Sequence, residues 1–206
     1  MNATTIRGLY AITPDWADSA RLIKAVVAAL AGGARVLQYR NKQAQPALRL
    51  EQALGLSALC GKAGATFIIN DDVELALEVD ADGVHLGETD GDMARARKRL
   101  GPRKLIGASC YNRFELAAPA LAAGADHLAF GSVFASGTKP GALRAPLELF
   151  GQARQLSVPL VAIGGITTDN AASVIAAGAS AVAVIGNLFD ADDIEARARV
   201  FAGLFS

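Results

Sequence analysis

The sequence predicts an α/β protein built as a single (β/α)₈ TIM barrel, and three observations carry that prediction. Short β-prone runs alternate with longer alanine-rich helical stretches from one end of the chain to the other, the pattern of βα units around a parallel sheet. The β-prone runs are continuously apolar rather than alternating, as expected of strands covered on both faces. Eight such runs can be counted, which favours closure into a barrel over the runner-up, an open flavodoxin-like sheet.

In order, the strands are expected near Leu9 to Thr13, Val36 to Arg40, Thr66 to Asn70, Gly83 to Leu86, Leu105 to Ser109, Leu128 to Gly131, Leu160 to Ile163 and Val182 to Ile185. Between them, Ala31-Gly32-Gly33-Ala34, Ala63-Gly64-Ala65, Ala123-Gly124-Ala125 and Ala177-Gly178-Ala179 mark helix exits, where glycine supplies a left-handed cap. A chain of 206 residues is short for this architecture, so the loops must be short except where function lengthens them. The longest runs from Ser132 to Pro146.

Hydrophobic residues make up 52% of the chain, enough to bury a core without disulfide or metal, and no segment reads as a linker. One catalytic domain over residues 1–206 is expected. Lys+Arg and Asp+Glu are both 20, so no overall basic field attracts nucleic acid or an anionic membrane, and any anion site must be local. Cys60 and Cys110 form neither a CxxC pair nor a zinc spacing, which suits a reducing compartment. The first residues lack a signal-peptide layout, and the longest apolar run, around Ala25 to Ala31, is too short to span a bilayer. A cytoplasmic protein is expected.

In such a barrel the reactive residues lie at the C-terminal ends of the strands, and polar residues recur there. The second strand runs into Gln38-Tyr39-Arg40-Asn41-Lys42, where strand alternation would point Gln38, Arg40 and Lys42 in one direction. Two cations and an amide suit a phosphate or pyrophosphate, although ordinary ion pairs would give the same pattern. The third strand ends in Asn70-Asp71-Asp72 and the fourth in His85-Leu86-Gly87-Glu88-Thr89-Asp90. Asp72 reads as a helix cap. Asp71 and Asp90 read either as caps or as the carboxylates of a Mg²⁺ site that substrate phosphates complete.

His85 could be a ligand, an acid-base group or a hydrogen-bonded structural residue, the last being the commonest fate of a lone strand-end histidine. His127 opens the sixth strand at the opposite face, where no catalytic role is expected. Ser109 has no triad partners and is expected to hydrogen-bond substrate, while Cys110 reads as a small buried apolar residue. Beyond the sixth strand, Ser136-Gly137-Thr138-Lys139 has the composition of a loop that closes over a polyphosphate. Gly164-Gly165 and Ile185-Gly186, after strands seven and eight, fall where backbone N–H groups hold phosphate in such barrels.

Taken together these segments resemble the thiamine-phosphate synthase family, from Gly8 to about Leu188. Gln38-Tyr39-Arg40-Asn41-Lys42 resembles its Gln-x-Arg-x-Lys segment, Asn70-Asp71-Asp72 its Asn-Asp motif, and His85 to Asp90 its His-x-Gly-x-x-Asp segment; Thr138-Lys139 and Ile163-Gly164-Gly165-Ile166 also fit. Each motif is weak alone, but five in order on successive strands are specific.

The resemblance implies a dissociative substitution in which pyrophosphate leaves a hydroxymethylpyrimidine and a thiazole nitrogen attacks the resulting cation. It implies catalytic roles for Arg40, Lys42 and Lys139, Mg²⁺ on Asp71 and Asp90, and pyrimidine pyrophosphate contacts from Gln38, Tyr39, Arg40, Asn41, Lys42, Asn70, Ser109 and Lys139. Thiazole phosphate would meet Gly165, Ile185 and Gly186, with Ser136, Gly137 and Thr138 between the two substrates. Two departures stand out: Phe134-Ala135-Ser136 replaces an aromatic-Pro-Thr run, and Gly186 replaces a serine. The expected partners are the two small molecules, with no nucleic acid and no membrane, and assembly as a homo-oligomer is left open. The alternatives are a thiazole tautomerase-like isomerase, disfavoured by the retained cations and acids, and a non-catalytic thiazole-phosphate sensor.

Overall fold

The computed structural model describes residues 6–135 and 143–205. Eight parallel strands close in sequence order, β1 (Gly8–Ile12), β2 (Val36–Tyr39), β3 (Thr66–Asn70), β4 (Gly83–Leu86), β5 (Leu105–Tyr111), β6 (His127–Gly131), β7 (Leu160–Ile163) and β8 (Ala181–Val184). The last strand pairs with the first, Leu9 opposite Val182, so no edge is left unpaired. Helices connect them: α1 (Ser19–Ala31), α2 (Pro46–Ala63), α3 (Val73–Glu78), α4 (Met93–Leu100), α5 (Ala117–Ala122), α6 (Glu148–Ala153) and α7 (Ala171–Ala177), with α8 (Gly186–Phe189) and α9 (Ile194–Gly203) after β8. The eight runs read from sequence are the eight strands, displaced at their ends by at most two residues.

Strand alternation builds two cores from one sheet. Outward residues such as Leu9, Leu37, Phe67, Val84 and Ile106 pack under the helices, whereas Tyr10, Val36, Ile68, Ala129 and Val161 fill the barrel interior. A (β/α)₈ interior has no room for water, so these side chains form a packed plug and leave only the mouth for chemistry. The predicted helix exits hold: Gly64 caps α2 at φ 65°, left-handed, its N–H bonded to the carbonyl of Cys60. Cys60 and Cys110 are both buried free thiols, and burial pushes each up to about 12, which keeps them protonated and inert.

Candidate active site

At the C-terminal mouth, β1, β2 and β3 bring their loops together. The expectation that Gln38, Arg40 and Lys42 share a direction is corrected here, because β2 ends at Tyr39 and the alternation ends with it. Gln38 stays inside the barrel, where its Nε2 donates to the Tyr10 hydroxyl at 2.8 Å. Arg40 turns to Asp15 on the β1 loop, with Nη1 2.9 Å from Oδ2. Lys42 turns the other way, and its Nζ reaches Oδ2 of Asp71 at 2.9 Å. The three therefore reach the mouth from different sides instead of as one stripe.

Two neighbours in the same segment are held by α2. The Tyr39 side chain lies in the outer layer, its hydroxyl donating to Oε1 of Gln52 on α2 at 2.9 Å, and burial raises it to about 12. Asn41 is buried, and its Nδ2 donates to the Trp16 carbonyl and to Gln52, while its Oδ1 accepts from the backbone of Ala44. The side chains of Tyr39 and Asn41 thus tie the loop to α2, and both residues also line the cleft beside Lys42. Sequence spacing could not separate these roles, since Gln52 comes from a different element.

The two readings of the acids are separated by their partners. Asp72 caps α3, its Oδ1 accepting from Leu75 N at 3.0 Å, and Asp92 caps α4, accepting from Ala94 N at 2.8 Å. Asp71 and Asp90 cap neither helix. Asp71 sits in the left-handed region at φ 64°, which turns its side chain out of the strand path toward Lys42 and Asp90. Burial first, and then the neighbouring Asp90 carboxylate, raise the Asp71 carboxyl, with Lys42 opposing. Asp90 closes its own loop, Oδ2 accepting from Gly87 N at 2.7 Å.

Two carboxylates facing each other beside a lysine are a donor set that a hard divalent cation fits, since it would relieve their repulsion. Among the described residues no group of three or more His, Cys, Asp or Glu forms a complete metal cage, so water or substrate oxygens would have to complete the coordination. An open cleft of about 520 Å³ is lined by Lys42, Asn70, Asp71 and Asp90. It also admits Arg49 of α2, a cation unpredicted from sequence, which pairs with Asp72 at 3.1 Å. Its signal was available: Arg49 falls one turn into the helix that begins at Pro46, beside the same loops.

Inside the mouth, Ser109 Oγ lies 2.9 Å from Nε2 of His85. His85 is buried and its pKa is pushed down to about 4, chiefly by burial, so it is a neutral ring that orients the serine hydroxyl. Deeper still, His127 is fully enclosed, its ring 5.9 Å from that of His85, and burial lowers it to about 3. The two rings meet over Gly107: a Cβ there would come within 2.3 Å of His127 and 2.4 Å of His85.

On the far side of the mouth, Gly164 and Gly165 have φ of 100° and 64°. A Cβ on Gly165 would lie 2.2 Å from the Ala135 carbonyl, so the glycine pair is needed for the β6 loop to lie against β7. That loop is tied there by Val133 N to Ile163 O at 3.0 Å and Phe134 N to Gly164 O at 2.9 Å. Asn170, also missed in the sequence, supports the turn by donating to the Gly165 carbonyl at 3.0 Å. Ile185 and Gly186 lie just past β8 at the start of α8. Ser136, Gly137, Thr138 and Lys139 lie outside the described residues.

The thiamine monophosphate synthase family model matches residues 9–188. The chain is 60% identical to the thiamine-phosphate synthase of Chromobacterium violaceum over 200 residues, 97% of each chain, and 57% identical to that of Aromatoleum aromaticum over 206 residues, 100% and 99% of the two chains. Among solved structures, thiamine phosphate pyrophosphorylase from Pyrococcus furiosus superposes with a TM-score of 0.86 at 35% identity, covering 99% of this chain and 98% of that one. On sequence and fold together, the chain belongs to the thiamine monophosphate synthase family.

Proposed function

We propose that this transferase of thiamine biosynthesis condenses 4-amino-2-methyl-5-(diphosphooxymethyl)pyrimidine with 4-methyl-5-(2-phosphooxyethyl)thiazole, giving thiamine phosphate and pyrophosphate. The observation that carries the residue assignment is the convergence of Lys42, Asp71 and Asp90 on one open cleft, with Arg40 on the adjoining loop. In this reading the pyrophosphate lies along that cleft. The C–O bond of the pyrimidine methylene breaks, its electron pair leaves with pyrophosphate, and the cation is delocalised over the aminopyrimidine ring. The thiazole nitrogen then donates its lone pair to the methylene carbon, so no protein nucleophile is needed.

Catalysis is then electrostatic. Arg40, Lys42, Asn70 and Lys139 stabilise charge that grows on the departing group. Mg²⁺ held by Asp71 and Asp90 would supply further positive charge to the same oxygens. Gln38 and Ser109, fixed by Tyr10 and His85, orient the pyrimidine. Gly165, Ile185 and Gly186 hold the thiazole phosphate by backbone N–H groups, with Ser136, Gly137 and Thr138 between the two substrates. Among the described residues no helix is long and apolar enough to cross a membrane, and the two buried free thiols suit a reducing cytoplasm.

The test is incubation of the purified protein with both substrates and Mg²⁺, following thiamine phosphate and pyrophosphate together. Stoichiometric appearance of both supports the reading. Binding of thiazole phosphate without product would instead favour a sensor, and conversion of a thiazole tautomer alone would favour the isomerase.

A further inference from the structure

We infer that Asp15 is a positioning residue for the pyrophosphate site, holding the Arg40 guanidinium and the Lys42 backbone in one arrangement. This rests on the proposed placement of pyrophosphate beside Arg40 and Lys42. Asp15 stands three residues past the end of β1, and its carboxylate makes three contacts. Both oxygens accept from Arg40 Nη1, at 3.0 and 2.9 Å, and Oδ1 also accepts from the backbone N–H of Lys42 at 2.8 Å. A single acid thus fixes the side chain of one cation and the main chain of the next but one.

Thr13 continues the same clamp. The β1–β2 ladder ends with Ile12 opposite Gln38, and beyond it the Thr13 Oγ1 accepts from Arg40 N at 2.8 Å and donates to Arg40 O at 2.9 Å. The hydroxyl stands in for a strand partner and carries the pairing to Arg40, where ordinary alternation has stopped. Lys42 is then delivered to Asp71, so the chain of contacts Asp15, Arg40, Lys42, Asp71 spans the mouth from the β1 loop to the β3 loop.

An ordinary surface ion pair would not look like this. The Arg40 and Asp15 side chains are only 22% and 28% exposed, and the acid also satisfies a backbone donor. Nor does Asp15 occupy the anion's place on Arg40. It engages Nη1 alone, and among the described residues no hydrogen bond uses Nε or Nη2, the edge that grips an oxyanion in bidentate fashion. A guanidinium already ordered by one corner loses less freedom when the other edge binds.

The test is a double-mutant cycle of Asp15→Ala and Arg40→Ala, measuring kcat, KM for each substrate, thermal melting, and calorimetric affinity for inorganic pyrophosphate with Mg²⁺. Asp15→Ala should lower kcat roughly ten- to a hundred-fold and weaken pyrophosphate binding roughly ten-fold, leaving KM for the thiazole phosphate unchanged. Asp15→Glu should recover part of the loss. In the Arg40→Ala background the same change should cost only about three-fold, because the guanidinium it holds is gone and only its hold on the Lys42 N–H remains. Should Asp15→Ala fail to fold, Asp15→Asn, which keeps an acceptor for the Lys42 amide, takes its place in the cycle.

Additive losses, or tighter pyrophosphate binding after removal of Asp15, would overturn the inference, the second because Asp15 would then act only as a repelling charge. A fall in melting temperature with both KM values and kcat moving together would do so too, reducing Asp15 to a structural role. If Arg40→Ala alone keeps full pyrophosphate affinity and turnover, the placement of pyrophosphate itself fails and takes this inference with it. An effect of Arg40→Ala without one of Asp15→Ala overturns this inference alone.

Discussion

Lys42 Nζ lies 2.9 Å from Oδ2 of Asp71, so a cation proposed for the pyrophosphate and a carboxylate proposed for Mg²⁺ are in direct contact. The pair offsets charge in the free protein, and substrate and metal arriving together would exchange it for two new ion pairs without leaving a charge uncompensated. Asp71→Asn and Asp90→Asn should therefore raise the Mg²⁺ concentration needed for turnover. Because Asp72 and Asp92 carry the helix caps, neither variant should lose more than about 1 kcal/mol of stability from capping. Mg²⁺ titrations of rate, paired with thermal melts, check both statements, and unchanged midpoints and maximal rates would remove the metal assignment.

Arg40→Ala and Lys139→Ala are each expected to lower kcat far more than they weaken thiazole-phosphate binding, since their charge matches the leaving group. The barrier should rise by about 2 to 4 kcal/mol for each. Steady-state kinetics with each substrate varied in turn give the answer. Loss of thiazole-phosphate affinity at near-normal turnover would reverse the assignment of the two anion sites.

Gly107→Ala should destabilise the barrel, because the new methyl would press on the buried imidazoles of His127 and His85, 2.3 and 2.4 Å away. Overpacking of this kind costs about 1 to 3 kcal/mol. Urea unfolding measures it. The same variant should displace His85 from Ser109 and slow turnover even where the fold survives, and wild-type stability and turnover would show that the two rings are not packed as described.

Stability should fall as the solution is acidified below about pH 6.5. His127 is neutral when folded, its pKa pushed down to about 3 by burial and then by the nearby His85, whereas the unfolded chain binds a proton near the ordinary value of 6.5. The folded pKa is the lower, so this contribution is fully present above pH 6.5 and is lost as pH falls toward 3. By linkage the part lost by pH 5 is about 2 kcal/mol. Urea titrations at pH 7 and pH 5 should show the loss, and His127→Gln should reduce it. Identical pH dependence in the variant would exclude His127 as its source.

The barrel was legible because its signals are local and repeated. Continuous apolar runs, the glycine at four helix exits and the count of eight need no long-range information, and the strand positions from Leu9 to Ile185 follow from them. The pairing Gly87 N to Asp90 Oδ2 also lies within four residues. Tyr39 and Asn41 both hydrogen-bond Gln52 of α2 while lining the cleft, and nothing in the local spacing shows which helix will cover a strand.

By itself, then, the sequence determined the layered βα architecture, the mouth as the place of chemistry and the residue types gathered there, since strand periodicity and chain order dictate which residues reach a strand's end. Only the tertiary structure decided the pairings among them: Asp15 with Arg40, Lys42 with Asp71, Tyr10 with Gln38, and Arg49 with Asp72. Those choices depend on where strands stop and how neighbouring loops turn. A left-handed Asp71, or a β2 that ends one residue before Arg40, redirects a charge across several ångströms while leaving the hydrophobic pattern unchanged.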